Sequence, residues 1–317
     1  MANDSIPYLS ATTLAALELT TEEVISSIET LVHACAANSA WNAPKAVIQP
    51  GDGRYMMAAL AAADDPPFLV VKTVILNPRN SARNLPQING LVTMLDSDTG
   101  LPVAILDGNW ITAVRTAGLS AVAARRMARA DSSIAAFIGC GVQAHSHLTA
   151  FADLFPLQQV RLFGRGQANI DSLSELARSR GLEPLRCASA AETLQGADLV
   201  VTSVTYSPEL VPFLDASELK PGCFAAITDL GAPWIKDSFA AFVHITIDDL
   251  EQEASLPNKL VAPEYVSGDL AGLVLGKFSG RDNDAERNAF IFRGHALGDL
   301  ALSALALQRS RATRQSA

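Results

Sequence analysis

The residues of this chain best suited to chemistry start with Gly139-Cys140-Gly141-Val142-Gln143-Ala144, a G-x-G-x-x-A loop between the apolar run Ile134–Ile138 and a helical segment. In such a loop the first glycine permits a tight turn, the second lets backbone amides approach a pyrophosphate, and the small last residue allows close helix–strand packing. The start of the helix adds partial positive charge. The pattern alone also fits an ordinary turn, but its place between a buried strand and a helix points to a dinucleotide held by Gly139, Gly141, Val142, Gln143 and Ala144. The next apolar run, residues 160–163, ends in Gly164-Arg165-Gly166 and offers no acid for adenosine ribose hydroxyls. Arg165 pairing with a 2′-phosphate leans the reading to NADP over NAD, although a solvent-facing arginine at a strand end has the same sequence. Another run, Leu199–Thr202, is followed by Ser203-Val204-Thr205, small residues that suit contacts to a nicotinamide ribose as well as they suit a plain turn, and Thr202, Ser203 and Val204 are assigned to the cofactor. Lys72 lies inside the apolar run Phe68–Leu76, where an unpaired ammonium is costly to bury, which favours a functional role.

These residues need a scaffold, and periodicity supplies one. In residues 20–37 apolar positions recur at helical spacing behind Thr20 and Glu23, a capping-box pair. Short β-prone runs follow at 55–62, Phe68–Leu76, 88–95 and 103–106 with no helix long enough to bridge them, so the first sheet is read as largely antiparallel. From Trp110 an Ala-rich helix runs to about Ala128, and then strands alternate with helices: Ile134–Ile138, 160–163, Leu199–Thr202, Phe224–Ile227 and His244–Ile247. That alternation predicts a doubly wound α/β fold with a parallel, Rossmann-type sheet beside a smaller α+β domain. The expected boundaries are 1–115 for the substrate-binding and dimerisation domain, rejoined by a helix within 296–317, and 116–295 for the dinucleotide-binding domain.

Composition narrows the function. A net charge of −9 over 317 residues gives no field suited to nucleic acid. The four cysteines are far apart and suggest neither a disulfide framework nor zinc. No signal peptide or bilayer-spanning run is evident, so the expected compartment is the cytoplasm, without a membrane partner. His145 and His147 follow the glycine loop, while His33, His244 and His295 stand isolated from other ligand types, so no metal is expected.

Segments 72–86 (KTVILNPRNSARNLP), 95–102 (LDSDTGLP) and 112–117 (TAVRTA), with the glycine loop, 276–281 (GKFSGR) and 294–301 (GHALGDLA), resemble motifs of the ornithine cyclodeaminase/mu-crystallin family. This group includes cyclodeaminases, ketimine reductases and some alanine dehydrogenases. The resemblance implies a Rossmann domain plus a smaller domain whose sheet packs on a second subunit, giving a homodimer. It also implies residue roles: Arg115 for a substrate carboxylate, Lys45 beside the substrate where the family has an arginine, and Thr116 at the cofactor. Lys72 is left to polarise or protonate an imine, and Asp229 to orient or protonate the substrate nitrogen. After Asp229 the chain departs from the cyclodeaminase Pro-Gly-Lys pattern, reading Leu230-Gly231-Ala232-Pro233-Trp234, which counts against ammonia elimination and gives Trp234 to the pocket. The expected activity is NAD(P)H-dependent reduction of a small imino acid, cyclic like pyrroline-2-carboxylate or acyclic like iminosuccinate. Lys45, Lys72 and Arg83 leave a dicarboxylate open. The alternatives are ornithine cyclodeaminase, an alanine dehydrogenase-like enzyme, and a non-enzymatic binder of NADPH and a small ligand.

Overall fold

The structure is a computed structural model and describes residues 5–205, 207 and 209–316. The chain first forms β1 (Tyr8–Leu9), α1 (Ala11–Ala15), α2 (Thr21–Ala36), β2 (Ala40–Ile48), β3 (Tyr55–Ala63), β4 (Phe68–Leu76), β5 (Ile88–Asp96), β6 (Pro102–Asp107) and α3 (Gly108–Met127). It continues through β7 (Ile134–Ile138), α4 (Val142–Leu154), β8 (Gln159–Phe163), α5 (Gln167–Ser179), β9 (Glu183–Arg186), α6 (Ala190–Leu194), β10 (Leu199–Thr202) and β11 (Phe224–Ile227). The remainder is β12 (His244–Ile247), α7 (Leu250–Ser255), β13 (Val266–Asp269), α8 (Leu270–Val274), β14 (Asn288–Ile291) and α9 (Ala296–Ser316). Contacts divide it into two units, one of residues up to Arg115 with those from His295 onward, the other Thr116–Gly294.

In the first unit the sheet order is β1-β6-β5-β4-β3-β2, antiparallel throughout except that β1 runs parallel to β6. Side chains alternate across the pleat. The row Ala59–Lys72–Val92–Leu106 is buried on one face, where α9 packs against β3 and β4. The opposite face carries the row Leu60–Val71–Thr93–Ile105 and exposes Trp41, Leu60 and Leu91. α2 starts on the expected capping box, with Thr20 and Glu23 each closing on the other's backbone.

The second unit holds a parallel sheet in the order β13-β12-β14-β11-β10-β7-β8-β9. All of its ladders are parallel, and its strands β7, β10, β11 and β14 are almost wholly buried, as expected for a sheet covered on both faces. Strand order reverses between β7 and β10, the switch point at which ligands of open α/β sheets bind. Among the described residues no helix is long and apolar enough to cross a membrane.

Candidate active site

In the first unit the buried face of β4 carries Lys72, 1% exposed, after the inward Phe68 and Val70. The ammonium is paired: Nζ donates to Asp299 Oδ1 at 2.7 Å, from the first turn of α9. The same carboxylate oxygen lies 3.1 Å from Nε of Arg115, two turns into α3 and also buried. That approach is not aligned for a hydrogen bond, and Nε and Nη1 of Arg115 are enclosed without a hydrogen-bond acceptor among the described residues. Two buried donors of a planar guanidinium are therefore available for one carboxylate, the ligand its fork matches. Burial lowers the Lys72 pKa to about 7, the positive charge of Arg115 adds to that, and Asp299 opposes both. Lys45 sits where Pro44 breaks the β2–β3 register between Ala43 and Ala46, and its charge also presses on Lys72. Arg83 is exposed at the end of a 3-10 turn.

In the second unit the glycine loop has the features a dinucleotide requires. Gly139 adopts φ +91, and a Cβ there would meet the Ser203 carbonyl oxygen at 2.6 Å, so only glycine fits the close approach of β7 to β10. A Cβ on Gly141 would meet nothing within 4 Å, leaving its backbone open to a phosphate. α4 begins on Gly141 with no side-chain cap, so its first amides are not spoken for by a capping group. Ala144 is buried beneath the loop, Val142 projects outward at 68% exposure, and the Gln143 side-chain oxygen is enclosed without a hydrogen-bond partner among the described residues. Arg165 is exposed between β8 and α5, whose amino end is likewise free of a side-chain cap. Thr116 is buried on α3.

Asp229 follows β11 and is gripped from β10. The Thr202 hydroxyl donates to Oδ1 at 3.1 Å and the Val204 amide to Oδ2 at 3.0 Å. Burial nevertheless raises its pKa to about 6 against those two bonds, so its carboxyl exchanges a proton near neutral pH. Leu230 and Gly231, both left-handed at φ 59 and 66, turn the chain away immediately after it. Leucine adopts that region only at a cost, a kind of strain that gathers at functional sites.

Two sequence expectations change here. Thr202 is fully buried and its hydroxyl both holds Asp229 and accepts from Trp234 Nε1 at 3.2 Å, so it positions the acid instead of meeting a ribose. Trp234 belongs to the core: it is 0% exposed, packed on Phe239 and Phe242. Ser203 donates to the Gly139 carbonyl, tying the two loops together. Asp299 was missed as a functional residue: it lies in the quoted segment 294–301, but its partner Lys72 is 227 positions earlier. The signal that could have found it is the buried ammonium itself, which demands a counter-charge. His244, read as isolated from other ligand types, has Asp282 and Glu286 beside it.

A model of the ornithine cyclodeaminase/mu-crystallin family matches residues 10–314. Alanine dehydrogenase of Archaeoglobus fulgidus is 25% identical over 294 residues, covering 89% of this chain and 88% of that protein. Ketimine reductase mu-crystallin of Mus musculus is 33% identical over 177 residues, 56% of this chain and 53% of that protein. Among solved structures, Thermococcus litoralis Delta(1)-pyrroline-2-carboxylate reductase in complex with NADH and L-proline superposes with a TM-score of 0.89 at 24% identity, covering 97% of this chain and 98% of that one. At that identity the likeness shows the fold.

Proposed function

The chain belongs to the ornithine cyclodeaminase/mu-crystallin family, and within it we propose a reductase that converts a small 2-imino acid to the amino acid at the expense of NADH or NADPH. The observation that carries this reading is the buried Lys72–Asp299–Arg115 group, in which two guanidinium donors of Arg115 make no hydrogen bond among the described residues. A carboxylate next to a C=N bond satisfies those donors, and the adjacent Lys72 cation favours that anion. Gly139–Ala144, with Ser203 and Thr116, would hold the dinucleotide, whose chemistry would be hydride donation to the imine carbon. Asp229, protonated, gives its proton to the nitrogen, and Thr202 and Val204 keep the carboxyl oriented. Ammonia elimination finds less support, since the segment after Asp229 buries Trp234 in the core in place of the cyclodeaminase pattern.

The proton balance gives a testable pH dependence. Asp229 must be protonated, a state lost as pH rises through about 6, and Lys72 must be charged, a state lost as pH rises through about 7. The kcat/KM for reduction is therefore highest on the acid side, and falls about tenfold per pH unit once a single required proton is lost. Asp229→Asn is expected to be much slower and to lose the break near 6 while keeping the one near 7. Initial-rate profiles of both proteins check this, and an unchanged break near 6 in the variant removes Asp229 from the proton step.

For the cofactor the reading keeps NADP over NAD, supported by Arg165 and by the lack of an acid at the end of β8. Arg165→Ala is expected to raise KM for NADPH about tenfold or more and leave KM for NADH nearly unchanged, as for loss of one charge-assisted phosphate contact. Equal effects on both cofactors would move the arginine away from the 2′ position. A cytoplasmic homodimer completes the proposal, supported by the exposed Trp41, Leu60 and Leu91 on the outer sheet face. Sedimentation of Leu60→Asp against the wild type tests it: a dimer that becomes a monomer is expected.

A further inference from the structure

We propose that His244, Asp282 and Glu286 form a binding site for one divalent transition-metal ion of the zinc class, at the amino edge of the parallel sheet. His244 is the first residue of β12 and pairs in register with Asn288, the first residue of β14; Asp282 and Glu286 lie on the segment that enters β14. Strands of this sheet are parallel, so this edge is the one opposite to the glycine loop, Ser203 and Asp229, which sit at carboxyl ends. The site is thus separate from the chemistry described above.

The donor set and its spacing point to a metal. His244 Nε2 lies 3.5 Å from Asp282 Oδ2 and 3.8 Å from Glu286 Oε2, and the three donor atoms fall within 4.8 Å of one another. Around a tetrahedral ion with bonds of about 2.0–2.2 Å, neighbouring donors stand roughly 3.3–3.6 Å apart. Those gaps are long for direct charge-assisted hydrogen bonds, which close to about 2.7–2.9 Å. Nε2 is enclosed and has no hydrogen-bond partner among the described residues, while Nδ1 lies 3.3 Å from the Ser267 hydroxyl. A hydrogen bond from Nδ1 to Ser267 leaves the Nε2 lone pair aimed at two carboxylates, an arrangement that calls for a cation among them. Glu286 is buried and held by the Asp282 amide at 2.9 Å and the Asn283 side chain at 2.8 Å, and the backbone is pinned as His244 N–H donates to Asn288 Oδ1. The neighbouring cation Arg281 is turned to the carbonyls of Met127, Asn283 and Gly222. Asp282 is 61% exposed, which leaves a fourth position open to water. With imidazole and two carboxylates the site suits zinc, cobalt or manganese better than magnesium, which prefers oxygen and retains its water.

The test uses the full chain, stripped with a chelator and titrated with Co²⁺ followed by visible absorption, then with Zn²⁺ by calorimetry. One ion per chain is expected, with Zn²⁺ displacing Co²⁺ and Mg²⁺ failing to do so. Asp282→Asn, at an exposed position, is expected to weaken Zn²⁺ about tenfold or more, and His244→Ala further. Thermal unfolding without metal shows that both variants fold, and only the wild type should gain a large rise in Tm on adding Zn²⁺. Three results overturn the proposal: no stoichiometric Zn²⁺ binding, equal affinity in Asp282→Asn and the wild type, or thiolate-to-cobalt absorption that places the ion on Cys35 or Cys187.

Discussion

Arg115→Ala lowers kcat/KM for imino-acid reduction by about two to three orders of magnitude, with most of the loss in KM. The size follows from removing one member of an enclosed charge pair, worth about 2–5 kcal/mol when the other charge is left without its partner. The loss falls in KM because the carboxylate is held equally before and during hydride transfer. Arg115→Lys recovers only part of the loss, since an ammonium keeps the charge but gives up the two parallel donors that Nε and Nη1 present. Steady-state rates for the three proteins decide the point. If the alanine variant keeps a near wild-type KM, Arg115 is a structural residue.

Asp299→Asn is expected to destabilise the protein by about 3–5 kcal/mol and to shift activity to lower pH. Shape is conserved in this change, but Lys72 and Arg115 then share the buried face of the sheet without a counter-charge. Removing one partner of a buried ionic group has a cost of that order. Because the Asp299 charge holds the Lys72 pKa up against burial, its loss moves that pKa further down from about 7, and the ammonium needed for substrate is available only in more acid solution. Denaturant unfolding gives the first quantity and the pH–rate profile the second. A variant that loses stability but keeps its upper break in the profile would make Asp299 a purely structural counter-ion, with no influence on Lys72 as it meets substrate.

Much of this was legible in the sequence where local signals are strong. The strands Phe68–Leu76, Ile134–Ile138, Leu199–Thr202, Phe224–Ile227 and His244–Ile247 have the bounds their apolar runs predict, because unbroken apolar runs between turn residues have few other outcomes. β2 went unread because Pro44 and a bulge interrupt its alternation, and β9 because Glu183-Pro184-Leu185-Arg186 is a polar edge strand. β14 is a four-residue run whose burial comes from its place between β11 and β12, which no local pattern records. At the site, Gly139 could be picked out from its motif, and Lys72 from its misfit among apolar neighbours. The reasons those residues work were not local. Asp299 reaches Lys72 across 227 positions, Trp234 reaches Asp229 only through Thr202, and Asp282 and Glu286 meet His244 from a different strand connection.

The central claim is tested most directly by offering the protein NADH or NADPH with a panel of cyclic and acyclic 2-imino acids and following nicotinamide absorbance. The account predicts net oxidation of the cofactor with at least one imino acid, one equivalent oxidised for each amino acid formed. Absence of net oxidation, with ammonia released from ornithine in the presence of NAD⁺ that is regenerated within each turnover, would contradict it and make the protein a cyclodeaminase.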